Sequence, residues 1–364
     1  MGSRDRKATG KILFDILRWK PLFAYCAQTT NANPNYYWEL IGAWCVINKI
    51  ELPPWEEFEN LSSTQILSHY NNPKLTSELR QSFPQWLNEL GVNAYGTAKW
   101  NKEMQALNQP NTRSIRVNRL KSTPKKLKKV LWDQYQIEAF LMEDYPDGLS
   151  FKNHSPLNQL PLFKNGFFEV QDGNSQRVGF FCEVLPGQKV LDACAGSGGK
   201  SLHLATLMKN KGIVLASDIR QNALDQIHKR SQRNGLQNIQ TCLANAIPKN
   251  WINNTDVVLI DAPCSGTGVI QSTPETKWLL TPEKLKNLIH QQATLLQNKA
   301  QYVKPDGKLV YVTCSILIEE NQKQIEAFLS SSRGEEFKLE TQKLHLSQET
   351  GFSGFFMASL RKRA

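Results

Sequence analysis

Two cysteines occupy positions where a side chain can do chemistry, because each follows an apolar run that predicts a β-strand. Cys264 lies in Asp-Ala-Pro-Cys-Ser-Gly-Thr-Gly after residues 257–261, and Cys314 lies in Thr-Cys-Ser at the end of residues 308–314. Ligands of open α/β sheets bind at the carboxyl ends of the strands, so we expect both thiols at one sheet edge. A cysteine thiolate there can act as a nucleophile and form a covalent intermediate.

A glycine-rich turn is the second chemical signal. Residues 191–200 read Leu-Asp-Ala-Cys-Ala-Gly-Ser-Gly-Gly-Lys between a predicted strand and a predicted helix. A P-loop would need glycine at Cys194, and the dinucleotide fingerprint would need glycine at Ser201. Asp218, which ends the next predicted strand, is placed to hold a ribose diol. The pattern therefore favours S-adenosylmethionine among adenosine ligands, with a purely structural turn as the alternative.

The remaining cysteines do not indicate a disulfide or metal framework. The chain has seven cysteines, an odd number without short regular spacing, and no Cys-x-x-Cys pair or histidine cluster suggests zinc. The sequence therefore predicts free thiols in a reducing compartment and no metal site. We expect four of them to be inert residues of the interior: Cys26, Cys45, Cys182 and Cys242.

The charge of the chain points to a polyanionic partner. Lys and Arg number 44 and Asp and Glu 33, a formal net charge of +11. The alternative is a merely soluble basic protein. Residues 113–129 carry eight positive charges and no acidic residue, which indicates a nucleic-acid surface or a solvated face. No stretch reaches the length of a membrane span and no secretory signal is visible, so we predict a cytoplasmic protein.

Three regions follow from the pattern along the 364 residues. Residues 1–105 have apolar residues at helical spacing, interrupted by prolines, and predict a helical accessory domain. Residues 106–182 predict a small α+β subdomain, with Ser122 or Thr123 capping a helix that has Pro124 in its first turn. In residues 183–364 strands alternate with helices, which predicts a largely parallel α/β sheet.

Together these motifs resemble the RsmB/Nop/Sun family of S-adenosylmethionine-dependent RNA cytosine-C5 methyltransferases. The resemblance runs from about residue 75 to the C-terminus, and the paired Pro-Cys and Thr-Cys motifs are its most specific part. It implies a Rossmann-like class I methyltransferase core preceded by a small RNA-binding subdomain. The segments that carry it are Leu191-Asp-x-Cys-Ala-x-x-Gly-Gly-Lys, Asp261-Ala-Pro-Cys-Ser-Gly-Thr-Gly, Pro274-x-x-Lys-Trp, Thr313-Cys-Ser, Phe355-Phe-Met-Ala, Arg116-Val-Asn-x-Leu-Lys and Val170-Gln-Asp-x-x-Ser-Gln.

The resemblance also implies the roles of four residues in catalysis. Cys314 is expected to add to C6 of cytosine, which makes C5 able to attack the methyl group, and Cys264 to assist release of the methylated product. Asp261 would hydrogen-bond the cytosine edge and border the cofactor. Lys200, at the start of the helix after the turn, would lower a thiol pKa or orient the base, with an ordinary surface lysine as the alternative. The target cytosine must be unstacked to reach such a pocket.

Binding residues are implied in the same way. We expect the RNA to contact Arg116, Asn118, Lys121 and Lys277. The cofactor site is expected to comprise Cys194, Ala195, Gly196, Ser197, Gly198, Gly199, Lys200, Asp218, Asn245 and Asp261. Two positions depart from the family. Asn245 replaces the usual Asp near the adenine, so the affinity for the cofactor is expected to differ. Ile270-Gln-Ser stands where arginines are common, so the binding of RNA is expected to differ as well.

The sequence thus predicts a monomeric enzyme that makes 5-methylcytosine in small-subunit rRNA, with tRNA as the alternative substrate. A non-catalytic RNA-binding assembly factor is a second alternative, which the presence of Cys264, Cys314, Asp261 and Lys200 disfavours. A nucleotide-hydrolysing RNA remodeller is suggested by Gly199-Lys-Ser and disfavoured by the missing glycine at residue 194. A DNA cytosine methyltransferase would use a Pro-Cys nucleophile alone.

Overall fold

The structure is a computed structural model that describes residues 2–152 and 155–364. The chain forms two compact units: Met1–Gln109 with Ile270–Thr281, and Pro110–Val269 with Pro282–Ala364. The first unit therefore ends just beyond the predicted boundary at residue 105, and it includes a segment from within the predicted methyltransferase region. The predicted division between residues 182 and 183 falls inside the second unit and stays a prediction. None of the described helices is long and apolar enough to cross a membrane.

The first unit is helical. Helix α1 is kinked at Trp19, because Pro21 lacks an N–H group and its ring crowds the preceding turn. Its inner face packs around Leu22 and Phe23 against α2, whose Leu40 and Ala43 are also buried. Between residues 2 and 109 its α-helices are α1 Ser3–Ala27, α2 Tyr36–Ile47, α3 Ser63–Tyr70, α4 Ser77–Arg80, α5 Gln85–Tyr95 and α6 Thr97–Leu107.

The second unit begins with a four-stranded antiparallel sheet of order β2-β3-β1-β4. Its elements are β1 Arg113–Val117, α7 Pro124–Tyr135, β2 Phe140–Leu141, β3 Gly148–Phe151, α8 Pro161–Lys164, β4 Phe168–Val170 and α9 Gly173–Phe181. Thr123 caps α7, since its Oγ1 accepts a hydrogen bond from the Lys126 amide at 3.3 Å, and Pro124 is the first helical residue. The predicted cap and helix start are confirmed.

The rest of the second unit is built on a seven-stranded sheet of order β10-β11-β9-β8-β5-β6-β7. Its elements, with the short α12 that belongs to the first unit, are β5 Lys189–Asp192, α10 Gly199–Leu207, β6 Ile213–Asp218, α11 Gln221–Asn234, β7 Ile239–Leu243, β8 Thr255–Asp261, α12 Thr276–Leu279, α13 Pro282–Ala300, β9 Val303–Thr313, α14 Gln322–Leu329, β10 Phe337–His345, α15 Ser347–Thr350 and β11 Phe355–Lys362.

Strands β5 to β9 are parallel, and β11 runs antiparallel between β9 and β10. Strand β5 lies between β6 and β8, so the order of connections reverses there, and ligands of doubly wound sheets bind at such a switch point. The sheet confirms the predicted α/β class with a Rossmann-like core. Helix α13 ends at Ala300, and β9 begins only three residues later at Val303.

Candidate active site

The glycine-rich turn connects β5 to α10 through backbone conformations that favour glycine. Gly196 and Gly198 have φ values of 53° and 87°, in the left-handed region. A Cβ at Gly198 would lie 2.7 Å from Ile227 Cγ1, so a larger residue there would also displace α11. The turn thus brings its backbone to the carboxyl edge of β5 without side chains in the way.

Asp218 at the end of β6 holds this turn in place. Its Oδ2 accepts a hydrogen bond from the Gly196 amide at 2.8 Å, and its Oδ1 accepts from the backbone and side chain of Arg220 at 3.0 and 3.1 Å. Burial alone would raise the pKa of Asp218, but the bonds from Arg220 and Gly196 outweigh it and lower the pKa. An ionised acceptor therefore lies beside the turn, and its contact with a ribose stays a prediction.

The other predicted cofactor residues lie along the same edge. Ala195 is buried and Cys194 half-buried, and burial, followed by the charges of Asp192 and Asp261, raises the Cys194 pKa to about 12. Ser197 is exposed and accepts hydrogen bonds from Arg230. Gly199 begins α10, and Asn245 is exposed two residues beyond the end of β7.

The two predicted catalytic cysteines meet. Their Sγ atoms lie 3.4 Å apart, because β8 and β9 are adjacent parallel strands that end at the same edge. The hydrogen bond to Cys314 and burial raise the Cys264 pKa well above its ordinary value, so Cys264 is a neutral thiol near pH 7. Within the described part of the chain no three His, Cys, Asp or Glu side chains form a group that could hold a metal ion.

An ion pair completes this edge. Lys200 Nζ at the start of α10 lies 2.5 Å from Asp261 Oδ2 at the end of β8. Burial alone would lower the Lys200 pKa, but the charge and hydrogen bond of Asp261 outweigh it, with a further contribution from Cys314, and raise the pKa. Lys200 therefore stays cationic near the thiols, where a positive charge favours a thiolate.

Asp192 is a residue of this region that the sequence analysis missed. It ends β5, is completely buried, and accepts a hydrogen bond from Ser201 Oγ at 2.6 Å. Burial raises its pKa to about 6, which makes it the most perturbed carboxyl group along the edge. The signal was present in the sequence, since Asp192 ends its strand just as Asp218 and Asp261 end theirs.

Three of the four residues predicted to bind RNA are buried. Arg116 donates to Gln171 and to the Gly199 carbonyl, and Asn118 donates to the carbonyls of Gly166 and Asn234. Arg116 and Asn118 therefore join the small sheet to the ends of helices α10 and α11 within the second unit, and their side chains are not exposed. The prediction of an RNA contact for Arg116 and Asn118 needs this correction.

Lys277 on α12 needs the same correction. Its side chain is completely buried in the first unit, where Nζ donates to the Arg18 carbonyl at 2.7 Å and to Asn108 Oδ1 at 3.0 Å. Burial, aided by the charge of Arg18, lowers the Lys277 pKa well below its ordinary value. Lys277 fastens the Ile270–Thr281 segment to the helices, so it does not present a charge to RNA.

The basic run itself is on the surface. Lys121 is exposed, although its Nζ donates to the carbonyls of Asn165 and Arg233. Helix α7 buries Leu127 and Leu131 and exposes four lysines on its outer side, namely Lys125, Lys126, Lys128 and Lys129. The positive charges at the end of the basic run thus lie on the protein surface.

Comparisons with known proteins agree with this arrangement. The family model described as 16S rRNA methyltransferase RsmB/F matches residues 181–361, and the model described as Methyltr_RsmF/B-like, ferredoxin-like domain matches residues 83–158. The crystal structure of PH0851 superposes on 99% of this chain and 91% of that chain, with a TM-score of 0.83 and 26% sequence identity.

Two curated relatives carry the name ribosomal RNA small subunit methyltransferase B. The protein of Salmonella typhi is 35% identical over 260 residues, 71% of this chain and 60% of that protein. The protein of Salmonella arizonae (strain ATCC BAA-731 / CDC346-86 / RSK2980) is 34% identical over 301 residues, 80% of this chain and 69% of that protein. The chain thus matches about three fifths of the length of the first of these relatives.

Proposed function

The chain belongs to the RsmB/F family of 16S rRNA methyltransferases, and we propose that it transfers a methyl group from S-adenosylmethionine to C5 of a cytosine in small-subunit rRNA. The observation that carries the proposal is the pair of thiols 3.4 Å apart beside the Lys200–Asp261 ion pair. A single thiol would suffice for attack on the base. Two thiols at one point favour a reaction that must both form and break a bond to sulfur.

The residues at the carboxyl edge fit the proposed cofactor. The turn at Gly196 and Gly198 leaves room for a close approach to the backbone, and Asp218 supplies an ionised acceptor for a ribose diol. Asn245 would face the adenine with a side chain that can donate and accept hydrogen bonds. When bound, S-adenosylmethionine supplies an electrophilic methyl group.

The chain's own residues would activate the cytosine. The Cys314 thiolate, stabilised by Lys200, adds to C6 and forms an Sγ–C6 bond, while the electron pair of the C5–C6 double bond becomes available at C5. Asp261 would accept a hydrogen bond from the base edge and fix its orientation. After C5 has gained the methyl group, its proton passes to water, the double bond re-forms, and the Sγ–C6 bond breaks with its electrons returning to Cys314.

Cys264 would act in the last step. Its raised pKa keeps it protonated, so its S–H group can donate a hydrogen bond to Cys314 Sγ as that atom leaves C6. The Cys264→Ala variant is therefore expected to form the covalent intermediate and to release it slowly. Denaturing gel electrophoresis with labelled RNA should show a protein–RNA band that accumulates with Cys264→Ala and not with the wild type.

The first experiment measures transfer of a radiolabelled methyl group to unmodified small-subunit rRNA and, separately, to tRNA. We expect 5-methylcytosine in the rRNA with the wild type and none with Cys314→Ala, while both proteins bind S-adenosylmethionine equally. Label in tRNA alone would show that the substrate is tRNA and not small-subunit rRNA. Label in neither RNA, with the cofactor still bound, would favour an RNA-binding assembly factor. An adduct lost in Cys264→Ala and kept in Cys314→Ala would reverse the two roles.

A further inference from the structure

A buried carboxylate joins the two loops that carry the thiols. Glu320 lies in the segment between β9 and α14, and no part of it is exposed to solvent. Its Oε2 accepts hydrogen bonds from the hydroxyls of Ser265 and Ser315, each at 2.5 Å. These serines directly follow Cys264 and Cys314 in the sequence, so a single carboxylate oxygen contacts both cysteine loops.

The other carboxylate oxygen is equally engaged. Glu320 Oε1 accepts from the Ser265 amide at 2.8 Å and from Gln292 Nε2 at 2.9 Å. Gln292 on α13 also donates to the Pro263 carbonyl, which precedes Cys264. The loop after β8 is therefore held on both sides of Cys264 by one connected network.

The network contains charge without a cationic partner. Four donors surround Glu320, and no ion pair to it occurs among the residues that the structure describes. A buried carboxylate is costly unless it is fully hydrogen-bonded, and bonds to an ionised acceptor are short and strong. Neutral side chains could be buried at this position at a lower cost in free energy. The presence of a carboxylate therefore indicates that it serves to hold its four hydrogen-bond donors in place.

We propose that Glu320 is a positioning residue that fixes the distance and orientation of Cys264 and Cys314 through Ser265 and Ser315. The proposal rests on the methyl transfer proposed above. In that reaction, attack on C6 by Cys314 and release of the product with the help of Cys264 both need the two sulfur atoms at the correct distance and orientation. In this role Glu320 acts through the neighbouring serines and touches neither substrate nor cofactor. The negative charge of Glu320 also contributes to the raised pKa of Cys264, which suits its role as a hydrogen-bond donor.

The test compares Glu320→Ala and Glu320→Gln with Glu319→Ala in the full chain. Glu319 is a matched control because it is the adjacent carboxylate and pairs with Lys323 instead of the cysteine loops. Glutamine keeps the shape of Glu320: its oxygen can accept the two N–H donors, and the serine hydroxyls can turn to accept from its amide. The Gln variant therefore separates the geometry of the network from its charge.

The first readout reports the thiol geometry without requiring methyl transfer. Diamide takes two electrons and two protons from a pair of thiols and leaves a disulfide, which needs the sulfur atoms to approach to about 2 Å. Peptide mapping follows the Cys264–Cys314 disulfide over time. We expect it to form at least about tenfold more slowly in Glu320→Ala, because misplacement by about 1 Å is enough to slow such reactions strongly. Glu320→Gln and Glu319→Ala should stay within about threefold of the wild type.

The second readout separates positioning from folding. Glu320→Ala should lower kcat by about 10²-fold with the KM and Kd for S-adenosylmethionine unchanged, and Glu320→Gln should recover most of kcat. Wild-type rates of disulfide formation and methyl transfer in Glu320→Ala would overturn the proposal. If methyl transfer is absent even in the wild type, the proposed function fails, whereas the disulfide rates still decide the role of Glu320.

Serine variants decide the matter if Glu320→Ala does not fold. Ser265→Ala and Ser315→Ala each remove one hydroxyl donor and leave the carboxylate in place. Both should slow formation of the Cys264–Cys314 disulfide, and wild-type rates in both would overturn the proposal.

Discussion

At the scale of single residues, Asp218 combines two tasks in one carboxylate. It accepts the Gly196 amide that shapes the turn, and Arg220 neutralises its second oxygen with a side chain that is 62% exposed. An exposed guanidinium can move away at little cost, because exposed ion pairs contribute little to stability. A ribose diol can therefore displace the Arg220 side chain from Asp218 Oδ1, while the Arg220 amide at 3.0 Å stays in place.

We expect Asp218→Ala to raise the Kd for S-adenosylmethionine by about 10- to 100-fold, since hydrogen bonds to a charged group contribute about 1.5–3 kcal/mol. Titration calorimetry measures this directly. Asp225→Ala is the matched control, because Asp225 is an exposed carboxylate on the next helix and accepts a hydrogen bond from Gln221 Nε2 at 3.0 Å. An unchanged Kd in Asp218→Ala would remove the ribose role from this residue.

Arg116 shows why the residue type alone misled the RNA prediction. Polar and apolar residues alternate in Ser114-Ile-Arg-Val, which is typical of a strand with one buried and one solvent face and would expose Arg116. In the structure residues 114–117 are all buried, because both faces of β1 are covered. A strand covered on both faces loses its alternation, and a charged residue on it then bonds to carbonyls such as that of Gly199.

At the scale of elements, His203 links three segments of the second unit. It lies on α10, its Nε2 is 3.3 Å from Asp147 Oδ2 just before β3, and Gly179 on α9 leaves room for its ring. Burial, followed by the charge of Arg116, lowers the His203 pKa to about 4, despite the neighbouring Asp147. The folded protein therefore holds a neutral imidazole.

This predicts a loss of stability in acid. Between about pH 6.5 and pH 4 the unfolded chain takes up a proton at His203 and the folded chain does not, so stability falls as the pH falls. From pH 7.5 to pH 5 we expect a loss of about 2 kcal/mol from this group. Urea unfolding at both pH values should show a smaller loss in His203→Gln than in the wild type.

His228→Gln provides the comparison for that measurement. His228 is exposed on α11 and contacts Thr241 Oγ1, so replacing it should leave the pH dependence of the wild type. Equal losses in wild type, His203→Gln and His228→Gln would show that His203 does not carry the effect.

Elements differ in how well the sequence predicts them. Strands β5, β6 and β8 are predictable because each contains a short apolar run that ends on an aspartate, and a further apolar run ends β9 just before Cys314. Parallel strands share one carboxyl edge. That was enough to place Cys264, Cys314, Lys200 and Asp261 together. The sequence does not indicate β10 and β11, because β11 is buried along most of its length and β10 is largely exposed, so neither shows the alternation of a half-buried strand. The Glu320 network joins residues 55 positions apart, which no local pattern reveals.

At the scale of the whole molecule, the net charge of +11 has a local source on α7. Pro124, Leu127 and Leu131 are buried, so the four lysines between residues 125 and 129 cover the solvent side of the helix. Only Lys129 has an acidic partner of its own, Asp133 at 2.8 Å, among the ion pairs that the described residues form. A surface of this kind suits the phosphate backbone, which binds cations and releases counterions.

Replacing these four lysines by alanine is therefore expected to weaken RNA binding through electrostatics alone. Each lost phosphate contact lowers the slope of log Kd against log salt by about 0.7 for single strands, so we expect a decrease between about 1 and 3. The Kd for S-adenosylmethionine and kcat at saturating RNA should stay within about twofold, because α7 contributes nothing to the carboxyl edge of the large sheet. The control changes the same number of charges near the amino ends of the sheet strands, at Lys209, Lys211, Lys249 and Lys338. Equal slopes in the two variants would mean that the net charge, and not helix α7, attracts the RNA.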